Sequence, residues 1–179
     1  MSKLDIEVIV IDQRLRNLPG RHGTVNGVPM FKSEGAGAMD LYACIDKPII
    51  LQPQQQVKLD MGFKMWIKDP RYAGVVMPRS STGSLGLVMG NTVGFIDSDY
   101  QGELKCVAWN RLMPTIKYKD EILFQGGAPI TINPGDRIAQ IAFMRVEQAR
   151  ILDVEQFADT TERGEGGFGS TGGVVQVSK

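Results

Sequence analysis

The sequence predicts an all-β domain, a sandwich or barrel with at most one or two short helices. Its 179 residues include 21 glycines and 9 prolines, which recur at short intervals and leave little room for a long helix. Short apolar runs fill these intervals, and many of them alternate with polar residues in the period of two that is typical of half-buried strands. Clusters of turn-forming residues separate the runs, as in sandwiches and barrels.

The first predicted strand spans residues 4–11. Apolar residues at every second position from Leu4 alternate with acidic ones, and an unbroken apolar run follows. Turn residues such as Pro53 and the pair Asp69-Pro70 separate the next runs. These runs predict strands at 41–44, 49–51, 57–59, 63–67 and 74–77.

A short helix is predicted near residues 80–87, where serine and threonine side chains supply a cap for its first turn. Residues 91–104 are typical of a β-hairpin that carries carboxylates and an aromatic residue at its return. The sequence Asn-Pro-Gly-Asp at 133–136 supplies a further turn. The remaining strands are predicted at 104–109, 130–132 and 138–143.

The chain has a length suited to one domain, which we expect to span residues 1–162. Two segments within it, near 14–33 and 114–129, are polar or mixed in charge and contain many turn residues. We interpret them as surface insertions. Residues 163–179 are dense in glycine, and their composition alone predicts a flexible tail.

Composition argues against several classes of function. Basic and acidic residues balance at 20 each, whereas a protein that binds duplex nucleic acid needs a basic face. No apolar run approaches the ~18 residues of a membrane span. Cys44 and Cys106 lack the spacing of a zinc site or a disulfide framework, so we predict buried free thiols in a cytoplasmic protein. His22 is the only histidine, which leaves histidine-based nucleophilic mechanisms unsupported.

Carboxylates, arginines, hydroxyls and backbone amides remain as the chemical groups, and this set favours phosphate esters. Arg79 lies among hydroxyl residues, and Arg163 precedes a run of glycines whose exposed amides suit an anion. Gln140 is a polar residue inside an apolar strand, where a buried amide needs hydrogen-bond partners. The segments that carry these residues and the nearby carboxylates are 36–41, 78–83, 91–104, 135–143 and 163–173.

In this order, the five segments resemble the five motifs of the trimeric dUTPase family. The most specific matches are Gly-Phe-Ile-Asp-Ser-Asp-Tyr at 94–100 and Arg-Gly-Glu-Gly-Gly-Phe-Gly at 163–169, within a resemblance that extends from about residue 36 to 172. It implies a jelly-roll-like β fold and a homotrimer with active sites shared between subunits. The implied reaction is the Mg²⁺-dependent hydrolysis of dUTP to dUMP and pyrophosphate, which limits uracil in DNA and supplies dUMP for dTMP synthesis.

The resemblance also implies roles for single residues. Asp97 would hold the water that attacks the α-phosphorus, and Gln140 would help to fix that water. Asp40 would contact Mg²⁺ through water, while the substrate phosphates hold most of the ion. Tyr100 would pack beneath the deoxyribose and exclude a 2′-hydroxyl, and Phe168 would cover the uracil from a tail that closes a neighbouring subunit's site. The implied substrate-binding residues are Arg79, Ser80, Ser81, Gly83, Asn91, Gly94, Ile96, Tyr100, Arg163, Phe168, Gly169, Ser170 and Thr171.

Two alternative functions stay open. dCTP deaminases are similar in fold and in phosphate motifs, but they carry a glutamate at about the position of Val107, where this chain has no carboxylate. The other alternative is a regulatory binding protein on the same scaffold, with the inserted segments as its contact surface. Release of ammonia from dCTP tests the first, and capture of a partner that depends on residues 114–129 tests the second.

Overall fold

The computed structural model describes residues 3–17, 24–25, 27–119 and 121–166, and the statements below concern those residues. They form fourteen β-strands and two helices of four and five residues, so the predicted all-β class is confirmed. In the first half of the chain the strands are β1 (Glu7–Val10), β2 (Thr24–Val25), β3 (Val28–Pro29), β4 (Met39–Tyr42), β5 (Ile49–Leu51), β6 (Gln56–Trp66) and β7 (Tyr72–Pro78). In the second half they are β8 (Leu87–Met89), β9 (Gly94–Ile96), β10 (Glu103–Asn110), β11 (Ile116–Tyr118), β12 (Glu121–Phe124), β13 (Ile130–Ile132) and β14 (Arg137–Arg145). The helices are α1 (Arg14–Asn17) and α2 (Ser80–Ser84).

Two four-stranded antiparallel sheets contain most of the core. The strand order is β1-β6-β10-β8 in the first sheet and β4-β14-β7-β9 in the second. Met61 and Leu104 from the first sheet and Leu41 and Ile141 from the second are fully buried in one hydrophobic cluster. The core therefore lies between the sheets, and each such side chain contributes about 1.5–3 kcal/mol by leaving water.

The second sheet has an inner face toward the core and an outer face. Along β7, Val76 is buried while its neighbours Val75 and Met77 are partly exposed, as the alternation of a strand requires. Cross-strand partners share a face, so Ile141, opposite Val76, is an inner residue. Gln140, opposite Met77, lies on the outer face.

One continuous strand, β6, replaces the two strands predicted at 57–59 and 63–67. Gly62 joins the two runs with a φ of +74°, in the left-handed region that favours glycine. Its amide donates a hydrogen bond to a carboxylate oxygen of Glu103 at 3.1 Å. The pairing of β6 with β10 shifts register here. The prediction of two strands is wrong because this bulge breaks the sequence period without ending the strand.

The helix predicted near 80–87 is present as α2, but no side-chain hydrogen bond caps its first turn. Its hydroxyls donate instead to main-chain carbonyls: Thr82 Oγ1 to the carbonyl of Arg79 at 3.1 Å and Ser84 Oγ to that of Ser80 at 2.8 Å. The predicted hydroxyl cap is therefore wrong, because the residue at the N-cap position is Arg79, which has no hydroxyl group.

The two segments interpreted as insertions differ in burial. Leu15 in α1 is only 1% exposed and belongs to the hydrophobic cluster, so α1 contributes to the core. Residues 114–129 contain the hairpin β11–β12, whose side chains are all exposed. Gly126 lies at its base, where a Cβ atom would meet the backbone of the other arm at Pro114.

Both cysteines are buried and free, as predicted. Burial raises the pKa of Cys106 to about 12. Burial also raises the pKa of Cys44 to about 11, and the adjacent carboxylate of Asp12 adds to the effect. At neutral pH both groups are therefore thiols, which are poor nucleophiles.

The chain divides into two compact units, residues 1–147 and 148–179. The strands lie in the first unit, and residues 148–166 of the second contain neither helix nor strand. The glycine-rich tail beyond residue 166 lies outside the described residues. No helix in the described ranges has the length and apolar character to cross a membrane.

Candidate active site

A partly buried carboxylate joins two arginines at one end of the second sheet. Asp40 lies in β4 with a side chain that is 15% exposed. Its Oδ1 accepts a hydrogen bond from Arg79 Nε at 2.6 Å, and its Oδ2 accepts one from Arg137 Nη1 at 3.3 Å. Because two cations surround one anion, the cluster keeps a net positive charge.

The segment after β7 brings four of the predicted substrate-binding residues into one turn. Arg79 has an extended backbone with φ −84° and ψ 152°, and α2 begins at the next residue. The Arg79 guanidinium donates from Nη1 to Ser81 Oγ at 3.2 Å. The main-chain carbonyl of Arg79 accepts a hydrogen bond from the amide of Gly83 at 2.9 Å. The helical turn therefore holds Arg79, Ser80, Ser81 and Gly83 close together.

Gln140 lies beside this cluster on β14. It is opposite Asp40 on one side and Met77 on the other. Its Nε2 donates to the carbonyl of Pro78 at 3.0 Å, which is the partner expected for a polar residue in this strand. Since the amide group is held through its nitrogen, its oxygen has a fixed direction and remains an acceptor.

A cavity of about 550 Å³ opens over these residues, within the usual range of small-ligand sites. Asp40, Arg79, Arg137 and Gln140 form one wall. The loop before β4 forms the rest with Met30, Lys32, Ser33, Ala36, Gly37 and Ala38. Its cationic groups and small residues suit an extended anion.

Sequence reasoning did not select Arg137 or Lys32. Arg137 stands three residues before Gln140 in the same motif. Its position directly before the predicted strand 138–143 is the feature that could have marked it as a candidate site residue. Lys32 falls in a segment interpreted as an insertion, and nothing in the sequence distinguishes it from other surface lysines.

Residues 91–104 do not form the predicted hairpin. β9 pairs with β7 in the second sheet, whereas β10 pairs with β6 and β8 in the first. The segment therefore crosses from one sheet to the other, and the hairpin prediction is wrong. Glycine explains the pairing of β9: Gly94 stands opposite Val76, and Gly74 opposite Ile96, so each branched side chain faces a residue without one.

The remaining predicted residues of the first unit lie in β9 and on both sides of it. Asn91 is exposed in the turn before β9, Gly94 and Ile96 lie in the strand, and Asp97 and Tyr100 are exposed in the loop that crosses to β10. The amide of Tyr100 donates to the carbonyl of Asp97 at 3.2 Å. Tyr100 Oη donates to the carbonyl of Glu103 at 2.9 Å. The Tyr100 ring lies against Gly102, where a Cβ atom would be 2.5 Å from Cζ of the ring. The loop is thus held by its own contacts.

Asp97 and Gln140 are far apart in one chain. Gln140 is level with Met77 on β7, and Asp97 follows Ile96, which is level with Gly74. Asp97 is therefore level with Ala73, and the distance along β7 from Ala73 to Met77 is about 13 Å. β14 and β9 flank β7 on opposite sides, which adds about 10 Å across the sheet and gives a separation of about 16 Å. The two side chains cannot hold one water molecule together within one chain.

The other predicted residues lie in the second unit or beyond it. Arg163 is exposed, and its Nε donates to the carbonyl of Gly166 at 2.8 Å. Phe168, Gly169, Ser170 and Thr171 lie outside the described residues.

Comparison with known proteins identifies the family. The dUTPase family model matches residues 26–172. The chain is 42% identical over 169 residues to the deoxyuridine 5′-triphosphate nucleotidohydrolase of Idiomarina loihiensis, an alignment that covers 93% of this chain and 97% of that protein.

Solved structures share the fold. The dUTPase of Staphylococcus bacteriophage 80alpha, solved with dUpNHpp, has a TM-score of 0.69 at 22% identity, over 94% of this chain and 98% of that one. The dUTPase of phage phi11 of S. aureus, solved with a structural Mg(II) ion, has a TM-score of 0.64 at 21% identity, over 87% and 99%. The family match and the Idiomarina alignment span most of the sequence, and the chain belongs to the dUTPase family.

Proposed function

We propose that this chain hydrolyses dUTP to dUMP and pyrophosphate by attack of water on the α-phosphorus. The observation that carries the proposal is the cationic cavity over Asp40, Arg79, Arg137 and Gln140 in a member of the dUTPase family. A cavity of this charge favours a polyphosphate over a neutral substrate. In the cytoplasm, the reaction would limit uracil in DNA and supply dUMP for dTMP synthesis.

Some of the site residues bind the substrate phosphates, and others position the attacking water. Arg79 and the hydroxyls of Ser80 and Ser81 bind phosphate oxygens, since a guanidinium and hydroxyls held in one turn match an anionic group. Gln140 presents its fixed amide oxygen to the attacking water. The Asp97 carboxylate accepts a hydrogen bond from that water and orients it. A loose phosphoryl-transfer transition state depends on such positioning more than on early proton removal.

Magnesium fits this site as an ion carried mainly by the substrate. Among the described residues, no three His, Cys, Asp or Glu side chains lie together in a way that could hold a metal ion. The Asp40 oxygens each accept one arginine hydrogen bond and retain capacity for another, which suits contact through a metal-bound water. Bound Mg²⁺ would neutralise charge that develops on the phosphates.

A homotrimer with shared sites accounts for the separation of Asp97 from Gln140. A second copy would bring its own Asp97 to the Gln140 of the first. The outer face of the second sheet supports such a contact, because the cross-strand partners Val75, Phe95 and Ala142 make it apolar and Phe95 is 55% exposed. Exposed apolar faces of this kind are typical of interfaces.

The last segment would complete the site of a neighbouring subunit. In this proposal residues 1–162 form the β domain and residues 163–179 bring Arg163, Phe168, Gly169, Ser170 and Thr171 to the substrate. The apolar side chains just before this tail are strongly exposed, including Ile151 at 86% and Phe157 at 88%. Such residues favour packing on another surface.

The direct test is pyrophosphate release with Mg²⁺ from dUTP, dCTP, dTTP and UTP. We expect turnover of dUTP and little of the other three. A chain that releases ammonia from dCTP, or that hydrolyses all four alike, would contradict the proposal. Val107 argues against a deaminase, since valine supplies no carboxylate at the position where dCTP deaminases carry a glutamate.

Tyr100→Ala is expected to relax discrimination against UTP more than it weakens dUTP binding. The ring is proposed as the floor under the deoxyribose, and its loss opens space for a 2′-hydroxyl. The ratio of kcat/KM for UTP to that for dUTP should rise by at least about tenfold. An unchanged ratio would place the steric floor at another residue.

Gly102→Ala tests the same floor without removing the ring. The Gly102 backbone lies outside the left-handed region, so alanine is acceptable there except for its Cβ, which would displace Tyr100. We expect the UTP-to-dUTP ratio to rise as in Tyr100→Ala, with no further rise in the double variant. Gly35→Ala is the matched control, since a Cβ there meets no atom within 4 Å. A normal ratio in Gly102→Ala would refute this role for the ring's position.

A further inference from the structure

The cavity over the second sheet carries more positive charge than its ion pairs neutralise. Its lining includes three cations, Lys32, Arg79 and Arg137, and one carboxylate, Asp40. Both arginines bind that carboxylate. Lys32 has no hydrogen bond, ion pair or ring contact with any residue in the described ranges. Within the described part of the chain, its ammonium group therefore keeps three hydrogen-bond donors available at the edge of this cationic cavity.

The backbone on both sides of Lys32 keeps it at this place. Pro29, three residues earlier, is buried at the end of β3, and Met30 itself lines the cavity. Just after Lys32, the amide of Ala36 donates to the carbonyl of Ser33 at 3.1 Å and closes a turn. Gly37 also lines the cavity, and no atom lies within 4 Å of where a Cβ at this residue would stand, so the space beside it is open.

We propose that Lys32 binds the phosphate chain of the nucleotide as a third cation beside Arg79 and Arg137. This assignment rests on the proposed function. A triphosphate carries more negative charge than the Asp40 cluster can neutralise, and a further ammonium supplies part of the difference. Because Lys32 has no described protein partner to give up, its interaction with phosphate does not break an existing contact. It contributes to affinity for phosphates and makes no contact with the base.

Lys32→Met removes the charge and keeps the length of the side chain. Calorimetric titration with Mg²⁺ would compare dUMP, dUpNHpp and inorganic tripolyphosphate on the full-length protein. We expect dUpNHpp and tripolyphosphate to bind about fivefold more weakly, and dUMP to lose less, because a charge contact contributes in proportion to the phosphate charge it meets. Lys32→Arg should restore most of the affinity.

Lys58→Met is the matched control. Lys58 is an exposed lysine on β6 that does not line the cavity, so the same change of charge there should leave all three affinities unchanged. Wild-type affinities in Lys32→Met, or equal losses for dUMP and dUpNHpp, would overturn the assignment. A wild-type protein that binds tripolyphosphate but neither nucleotide would instead refute the proposed function, and the tripolyphosphate titrations would still measure the contribution of Lys32.

Discussion

Replacement of Asp97 by asparagine is expected to lower kcat for dUTP by about 1000-fold, within the range for loss of a group that acts on the attacking water. The two side chains have nearly the same shape, so the phosphate-binding residues stay in place. Asparagine lacks the negative charge that is proposed to orient the water and to take its proton. Affinity for dUpNHpp should therefore remain within about twofold of wild type, since the change affects the transition state and leaves substrate binding intact.

Asp99→Asn provides the matched control for this variant. Asp99 is an exposed carboxylate two residues further along the same loop, with no role assigned to it. It should retain wild-type turnover. If Asp97→Asn retained turnover, or if both variants lost it equally, Asp97 would not be the residue that orients the water.

Two inactive variants are expected to restore each other's activity when they are folded together. Asp97→Asn removes the carboxylate that is proposed to orient the water, and Arg79→Gln removes the guanidinium that is proposed to bind phosphate. Along the second sheet these residues lie at opposite ends of β7. If each site takes Asp97 from one chain and Arg79 from another, random mixing of equal amounts gives both intact residues in about a quarter of the sites.

A second mixture distinguishes the two site geometries independently. A chain with both substitutions, mixed equally with wild type, should leave about a quarter of sites active if the sites are shared and about half if each chain forms its own. Size-exclusion chromatography and mass spectrometry would verify that mixed oligomers had formed. No recovery in verified mixtures of the single variants would refute the shared site.

The sequence was sufficient to predict the fold class and many strands. Strands β5 and β13 occupy the predicted ranges 49–51 and 130–132, because short apolar runs between turn residues specify a strand from local information. The bulge at Gly62 was not predictable in this way, since a glycine between two apolar runs has the same signature as a turn. The prediction of a hairpin at 91–104 was wrong for a related reason. A loop that crosses to another sheet has the same kinds of turn residues as a loop that joins two paired strands.

The same distinction applies to the candidate site: residues within local motifs could be predicted, whereas distances that depend on the fold could not. Asp40, Arg79 and Gln140 stood out in the sequence as polar residues within short motifs, and the structure brings them together. Their distance from Asp97 follows from the order and register of four strands, which no local pattern specifies. Lys32 could not be selected either, because its relation to the cavity depends on where the loop before β4 lies.

The distance of about 16 Å between Asp97 and Gln140 has a consequence for how activity depends on dilution. If no isolated chain contains a complete site, catalysis belongs to the assembly, and specific activity should fall once the protein is diluted below the dissociation constant of its subunits. A substitution far from the substrate that weakens subunit contacts would then reduce activity without changing any catalytic group. Substrate, by binding across the boundary, would oppose dissociation, so dUpNHpp should shift the loss of assembly to lower protein concentration.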